Sequence, residues 1–303
     1  MHTAKNLLKI IVQKVKLKKV SSGSIRCVFM EKSITALLCL MCTLLQAQTE
    51  VSLKDKISKM PVAYANIWKE KSLYKTADST GVFVVDAKER EGYFKITCIG
   101  YHDTIVLIAP EIMLRPKVVD LAELKLAKCQ FEKTAKLGKA KRGDNHYGVQ
   151  WDSKIAMTAK YFPNDGVKGK FLSKTKFFAT TTVKNRLISV LVYSVGDNGK
   201  PNEIVNTETL VYKLKKGTHV VEADLNSLNI VFPSNGIFIV IQHPLLEQNK
   251  NYSSNSNHPD AFFYEPLIAI DFVNQYEDSW YFKDGNWNKQ EKYMINAELL
   301  LTD

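Results

Sequence analysis

Few stretches of this chain carry residues spaced for chemistry. His219-Val220-Val221-Glu222 has the His-x-x-Glu spacing of two ligands to a catalytic zinc ion. Such a site needs a third ligand and groups that clamp a substrate, and only His243 and His258 lie downstream. Lys215-Lys216-Gly217-Thr218 before the pair and Asp224-Leu225 after it read as a strand, whose period of two sends positions 219 and 222 to opposite faces. The expectation is therefore no metal site and no cofactor. Glu203, Glu208, Glu222, Asp224, Glu265, Asp271, Glu277 and Asp278 are numerous enough to supply the acid and base of a glycosidase, but spacing singles out no pair. Asp197 and Asn198 could bind calcium, although both are also the commonest turn residues. Phosphate-binding glycine loops and the Gly-x-Ser-x-Gly nucleophile turn are missing, which removes the local signals of common nucleotide and hydrolase chemistry.

Aromatic side chains offer a different chemistry. Ser279-Trp280-Tyr281-Phe282-Lys283-Asp284-Gly285-Asn286-Trp287-Asn288 predicts a hairpin, because Asp and Gly both tolerate the positive φ of a tight turn. Closing it pairs Lys283 with Asn286 and Phe282 with Trp287. That puts Trp280, Phe282 and Trp287 on one face and Tyr281 with Asn288 on the other. Such a face either packs into a core or, left exposed, stacks on sugar rings or fills a partner's pocket. Trp280, Tyr281 and Trp287 are the candidate binding residues.

The elements that would position these groups begin well inside the chain. Met30-Glu31-Lys32-Ser33 is a short charged lead, Ile34 to Leu45 is apolar, and Gln46-Ala47 sets a small residue before Gln48, so residues 30–47 read as a signal peptide. The run is shorter than the about 20 residues that a membrane-spanning helix needs. Residues 1–29, with Lys5, Lys9, Lys14, Lys16, Lys18, Lys19 and Arg26, read either as a basic membrane-surface helix or as sequence upstream of a true start at Met30. The second reading is preferred because export signals sit at the N-terminus. Export would place the protein in a periplasm, at an outer membrane or outside the cell, with no stable membrane insertion after cleavage.

Without residues 1–47 the formal charge falls from +11 to +4, and a nucleic-acid partner loses its electrostatic basis. Cys27, Cys39 and Cys42 leave with the same segment; Cys98 and Cys129 remain, enough for one disulfide and too few for a disulfide framework.

Short runs of Val, Ile, Thr, Phe and Tyr separated by Gly, Asn, Asp and Pro predict an all-β protein. Residues 49–128 carry short strands. Residues 129–145, Lys-rich from Glu132 to Asp144, read as a solvated basic linker. Residues 146–303 carry longer apolar strands, Leu187–Val195, Glu208–Leu214 and Gly236–Gln242 among them, in a rhythm that weakly resembles jelly-roll modules of the carbohydrate-binding type.

The first region also carries recognisable blocks. Pro61-Val62-Ala63-Tyr64-Ala65-Asn66-Ile67, then Thr76-Ala77-Asp78-Ser79-Thr80-Gly81-Val82-Phe83, then Tyr93-Phe94-Lys95-Ile96-Thr97-Cys98-Ile99-Gly100-Tyr101 occur in order. This resembles the carboxypeptidase-regulatory-like domain, a small transthyretin-like β-sandwich abundant in exported Bacteroidetes proteins. The opening Gly-x-Val-x-Asp of many members reads Val51-Ser52-Leu53-Lys54-Asp55 here. The resemblance implies a scaffold, since that domain accompanies metallocarboxypeptidases but holds none of their zinc ligands. Independently of any family, Asp78 to Gly81 reads as a turn and Gly100-Tyr101 as a bulge or close approach that closes one end of a sandwich.

Taken together, these readings lead to a non-catalytic, exported cell-envelope protein whose two β-sandwiches bind a glycan or an envelope protein. A hydrolase of glycans or peptides with an accessory domain, and a purely structural adhesion component, stay open as alternatives.

Overall fold

The computed structural model describes residues 48–117, 134–150, 155–167, 170–252, 261–272 and 278–303. The signal-peptide reading, Cys129 and part of the linker lie outside them. The described chain is all-β, and its residues from Glu50 onward cluster as one compact unit.

A small sandwich comes first. Its strands are β1 (Gln48–Asp55), β2 (Asn66–Lys69), β3 (Ser72–Thr76), β4 (Val82–Asp86), β5 (Phe94–Thr97), β6 (Thr104–Val106) and β7 (Glu111–Leu114). One sheet runs β4-β1-β7, with β1 and β7 parallel, and the other β3-β2-β5-β6. Period-two alternation turns Val51, Leu53, Ile67, Phe83, Val85, Phe94, Ile96, Ile112 and Leu114 inward as a closed core. The turn before β4 forms as its residues predict: Asp78 Oδ1 accepts from Thr80 N at 2.8 Å and Val82 N at 3.0 Å. Gly81 follows at φ +74°, and a Cβ there would sit 2.7 Å from the Leu53 carbonyl oxygen. Gly100 needs only its φ of +82°, since nothing lies within 4 Å of a Cβ at that position. Its neighbour Tyr101 closes the sandwich by donating its hydroxyl to Asp55 Oδ2 at 3.1 Å. The other Asp55 oxygen accepts from Ile57 N and Ser58 N.

The large sandwich contains β8 (Ala135–Gly138), β9 (Asn145–Gln150), β10 (Met157–Phe162), β11 (Phe171–Thr181), β12 (Arg186–Val195), β13 (Pro201–Ile204), β14 (Leu210–Leu214) and β15 (Gly217–Asp224). It continues with β16 (Ile237–Gln242), β17 (Lys250–Tyr252), β18 (Phe262–Asp271), β19 (Ser279–Lys283), β20 (Asn286–Lys289), β21 (Met294–Ile295) and β22 (Ala297–Thr302). One sheet follows β13-β12-β16-β10-β19-β20, with β14 also on β12; the facing sheet follows β17-β18-β11-β22-β8, with β15 on β11 and β9 and β21 on β18. Between them lies a core of Phe177, Ile188, Val190, Val192, Ile239, Ile241, Ile268 and Leu299.

The linker reading is corrected here. Ala135–Gly138 is an edge strand paired antiparallel with β22, and β9 begins at Asn145 on β18. The lysines misled because the exposed face of an edge strand is solvated like a linker. Lys136 pairs with Glu298 and Lys141 with Asp271.

In β16 all six residues are buried, and β12 is buried from Leu187 to Tyr193. Strands apolar on both sides need a cover on both faces. One cover is the facing sheet. The second is the small sandwich: Trp68 and Ile99 pack on Met157, Ala159, Leu191, Tyr193, Phe238, Val240, Trp280 and Trp287. Polar contacts join the modules beside this patch. Gln242 Nε2 donates to Asn66 Oδ1 at 2.7 Å, Leu245 N donates to Thr76 Oγ1 at 3.0 Å, and Ser72 Oγ donates to Asp284 Oδ1 at 3.2 Å.

Gly81→Ala is expected to destabilise the protein by more than about 1 kcal/mol, because alanine meets both the positive φ and the Leu53 carbonyl. Urea unfolding of the variant beside wild type measures it.

Candidate functional site

The hairpin forms in the predicted register, Lys283 opposite Asn286 and Phe282 opposite Trp287, with Asp284 at φ 50° and Gly285 at φ 81°. Its exposure is not that of a ligand platform. Trp280 and Trp287 are each 8% exposed, inside the patch that the small sandwich covers. Tyr193 meets Trp287 edge-on at 5.6 Å, Phe238 meets Trp280 at 6.1 Å and Trp68 meets Phe282 at 5.7 Å. Half-buried Tyr281 lies on the opposite face of the strand. The three candidates therefore do not assemble into an open binding face. Two of them join the modules, because the apolar face that could have stacked on sugar is buried by the protein's own first domain.

Several of the ionisable candidates are likewise occupied. Glu222 lies between Lys174 (2.8 Å) and Lys176 (2.7 Å), whose hydrogen bonds hold its carboxyl down to about 2. His219 Nε2 lies 2.9 Å from the Lys216 carbonyl oxygen. Among the described residues no group of three His, Cys, Asp or Glu could hold a metal ion. Glu265 is fully buried on β18. Burial raises its carboxyl, yet hydrogen bonds from Asn251 (2.9 Å), Thr181 (2.9 Å) and Thr182 N (3.1 Å) outweigh it and hold the carboxylate charged, with Arg186 Nε at 3.2 Å. That network ties β17, β18, β11 and the start of β12 together, leaving no carboxylate oxygen for a substrate. His243 is completely buried, with Nε2 2.8 Å from the Pro266 carbonyl oxygen, and burial lowers its imidazolium to about 4.

The open spaces lie where the modules meet. A cleft of about 290 Å³ opens between them, beside the Trp68 patch. The small sandwich contributes Tyr64, Asn66, Thr76, Thr97, Cys98 and Asp103; the large one contributes Ser189, Asn206, Thr207, Thr209 and Gln242. These polar groups share the lining with Lys117 and with apolar Ile99, Leu191, Ile204 and Pro244. Asn66 and Gln242 spend one N–H each on the other's oxygen (3.4 and 2.7 Å), so each amide keeps a second N–H. Thr97 Oγ1 accepts from Trp68 Nε1 at 2.9 Å and retains its own proton to donate. Tyr64 sits at φ +57°, a conformation that costs a non-glycine residue energy and concentrates at functional sites. Burial pushes the Cys98 thiol up to about 11, which keeps it protonated and a poor nucleophile. Asp103 pairs with Lys95 at 2.8 Å. A second cleft, of about 440 Å³, lies on the other side of the Thr76–Leu245 contact, between β3 and the β9–β18 pair.

Sequence reasoning missed these residues. Asn66 stood in the first recognised block and Tyr64 beside it, but no local signal pairs Asn66 with a glutamine 176 positions away.

No protein-family model and no curated protein matches this chain. Among solved structures it is similar to a clostridial cysteine protease, Cwp84, after propeptide cleavage: 12% identity, TM-score 0.38, covering 56% of this chain and 40% of that one. The cysteine protease and lectin-like domains of Cwp84, a surface-layer-associated protein of Clostridium difficile, align at 12% identity and TM-score 0.33, covering 52% and 36%. A structure of infectious bursal disease virus, Gx strain, aligns at 12% and TM-score 0.26, covering 84% and 59%. The chain thus spans less than half the length of the Cwp84 structures. At these values the similarities carry no functional argument.

Trp280→Ala is expected to cost about 3–5 kcal/mol, the range for emptying a buried tryptophan site. Limited proteolysis should then separate the modules, whereas tryptophans that served only a ligand would leave stability and proteolysis unchanged. For His243, the unfolded chain takes up a proton near the ordinary value of 6.5 that the folded protein refuses until about 4. Stability is therefore expected to fall with acidification through that window, by about 1.4 kcal/mol per pH unit from this group. His243→Gln should flatten the slope in urea unfolding curves measured from pH 7 to 5.

Proposed function

We propose that this is a non-catalytic, exported cell-envelope protein in which two docked β-sandwiches form one binding unit for a neutral glycan. The single observation carrying this reading is the cleft lined from both modules by Asn66, Gln242, Thr97, Thr207 and Thr209. Vicinal hydroxyls of a sugar both donate and accept, and the cleft presents the matching groups: amide N–H donors with unused capacity, hydroxyls that serve in both roles, and the aromatic side of Tyr64. The lining carries one charge of each sign, Asp103 and Lys117, so no net charge on the ligand is called for. Binding is favoured over catalysis because the lining offers no second carboxylate to work with Asp103 and a thiol that stays protonated. Export rests on residues 30–47. The accessory character of the first module rests on its resemblance to the carboxypeptidase-regulatory-like domain.

A neutral-glycan array probed with the purified protein tests the reading. Thr207→Trp should block the cleft from an exposed rim position and lower affinity for any retained glycan at least about tenfold, and Thr97→Val should weaken it by the loss of one hydrogen bond, about 1 kcal/mol. Thr207→Trp should match wild type in circular dichroism and melting, whereas Thr97→Val, which takes away the acceptor of Trp68 Nε1, should keep its circular dichroism and melt lower. No retained glycan, or retention that both variants keep, would overturn it.

A further inference from the structure

The second cleft is lined by different groups from the first. Its floor is Leu73, Val149 and Leu245, which are 4%, 1% and 7% exposed and offer no side-chain hydrogen bond. Its walls are aromatic: Tyr74 from the small module, Phe262 and Tyr264 from the large one, the last two meeting edge-on at 5.4 Å and 88°. At about 440 Å³ it falls within the size range of ligand pockets, and it joins an apolar floor and aromatic walls to a polar, charged rim. The rim holds Lys69, ion-paired with Glu89, together with Glu70, Ser72 and Gln150, so carboxylates outnumber ammonium groups there.

Two backbone features shape this opening. Tyr74 is the extra residue of a β-bulge, since Ile67 pairs with Lys75 and the next residue, Trp68, with Leu73. Bulges re-aim a side chain, and they recur beside binding sites. Glu70 is exposed at φ +55° in the turn between β2 and β3, which holds its carboxylate at the mouth. In addition, β3 is the edge strand of its sheet, with its outer side engaged at Thr76, whose N donates to the Leu245 carbonyl oxygen at 3.4 Å. An edge strand beside an apolar pocket is the arrangement by which an extended segment pairs its backbone and buries an alternate side chain.

From this combination we infer that the second cleft is a docking pocket for a partner polypeptide: an extended segment alongside β3 that inserts one aromatic or branched aliphatic side chain and carries a Lys or Arg beside it for Glu70. A sugar does not fit, because the floor would strip its hydroxyls of water without replacing their hydrogen bonds. The site is independent of the polar cleft, and either can fail without the other.

The test is selection of a random-peptide phage library on the purified protein, followed by fluorescence anisotropy with the recovered peptides as labelled synthetic probes. The recovered peptides should share an apolar anchor next to a basic residue. Affinity should drop at least about tenfold in Ser72→Trp, which fills the mouth, and severalfold in Glu70→Lys, which reverses the rim charge. Gln150→Trp blocks the same mouth from the opposite wall and covers the case in which losing the Ser72–Asp284 contact disturbs docking. Thr207→Trp, in the other cleft, should leave binding unchanged. Peptides without a common anchor, or binding that survives both blocking variants, would overturn the inference, as would peptide binding abolished by Thr207→Trp alone.

Discussion

Trp68 and Ile99 of the small sandwich meet the outer face of a sheet in the large one, and most of the architecture follows from that contact. The sheet presents a continuous apolar surface across three neighbouring strands and a hairpin: Leu191, Tyr193, Phe238, Val240, Met157, Ala159, Trp280 and Trp287. Left in water, such a patch would be an aggregation or docking surface. Covered, it gains the burial of several large side chains, at about 25 cal/mol per Å², and edge-on aromatic contacts such as Trp68 on Phe282. Apolar contact is non-directional, so the polar pairs beside it set the orientation. The reciprocal amides of Asn66 and Gln242, together with Thr76 on the Leu245 backbone, are mutually satisfied in only one docking geometry.

Docking two sandwiches along one patch leaves gaps around it. The two clefts are those gaps, and their chemistry differs because different residues reach each side. Towards Gln242 amides and hydroxyls share the lining with aliphatic side chains; towards Leu245 an aliphatic floor and aromatic walls meet a charged rim. Neither cleft belongs to one module alone. Binding at either would therefore strengthen the interface between modules by mass action, since the ligand has no complete site on separated domains.

The buried polar groups serve the scaffold. Glu265 with Arg186, Thr181, Thr182 and Asn251 forms a closed network in which each partner satisfies the other's buried charge or hydrogen-bonding capacity. Exposed Glu222 owes its lowered carboxyl to two lysines on the neighbouring strand, a cross-strand pairing of opposite charges.

Much of the local structure was legible from residue types alone. The all-β class, the Asp78–Gly81 turn and the Asp284–Gly285 hairpin with its register depend on φ preferences and period-two alternation, which act over a few residues and are written in them. The separation of His219 from Glu222 on β15 came from the same alternation. Three features were not legible. The strand Ala135–Gly138 hid in a lysine-rich stretch, because edge strands and linkers share composition. The role of Trp280 and Trp287 was undecided, because the same apolar face suits a ligand or a second domain, and only the position of Trp68 chooses between them. Both clefts were invisible, because they join residues as distant as Asn66 and Gln242, whose proximity is set by module docking. Sequence by itself determined the strands, the turns and which faces are apolar. Tertiary structure alone decided what covers those faces and what spaces remain open, since burial is a property of the whole surface and no short segment contains it.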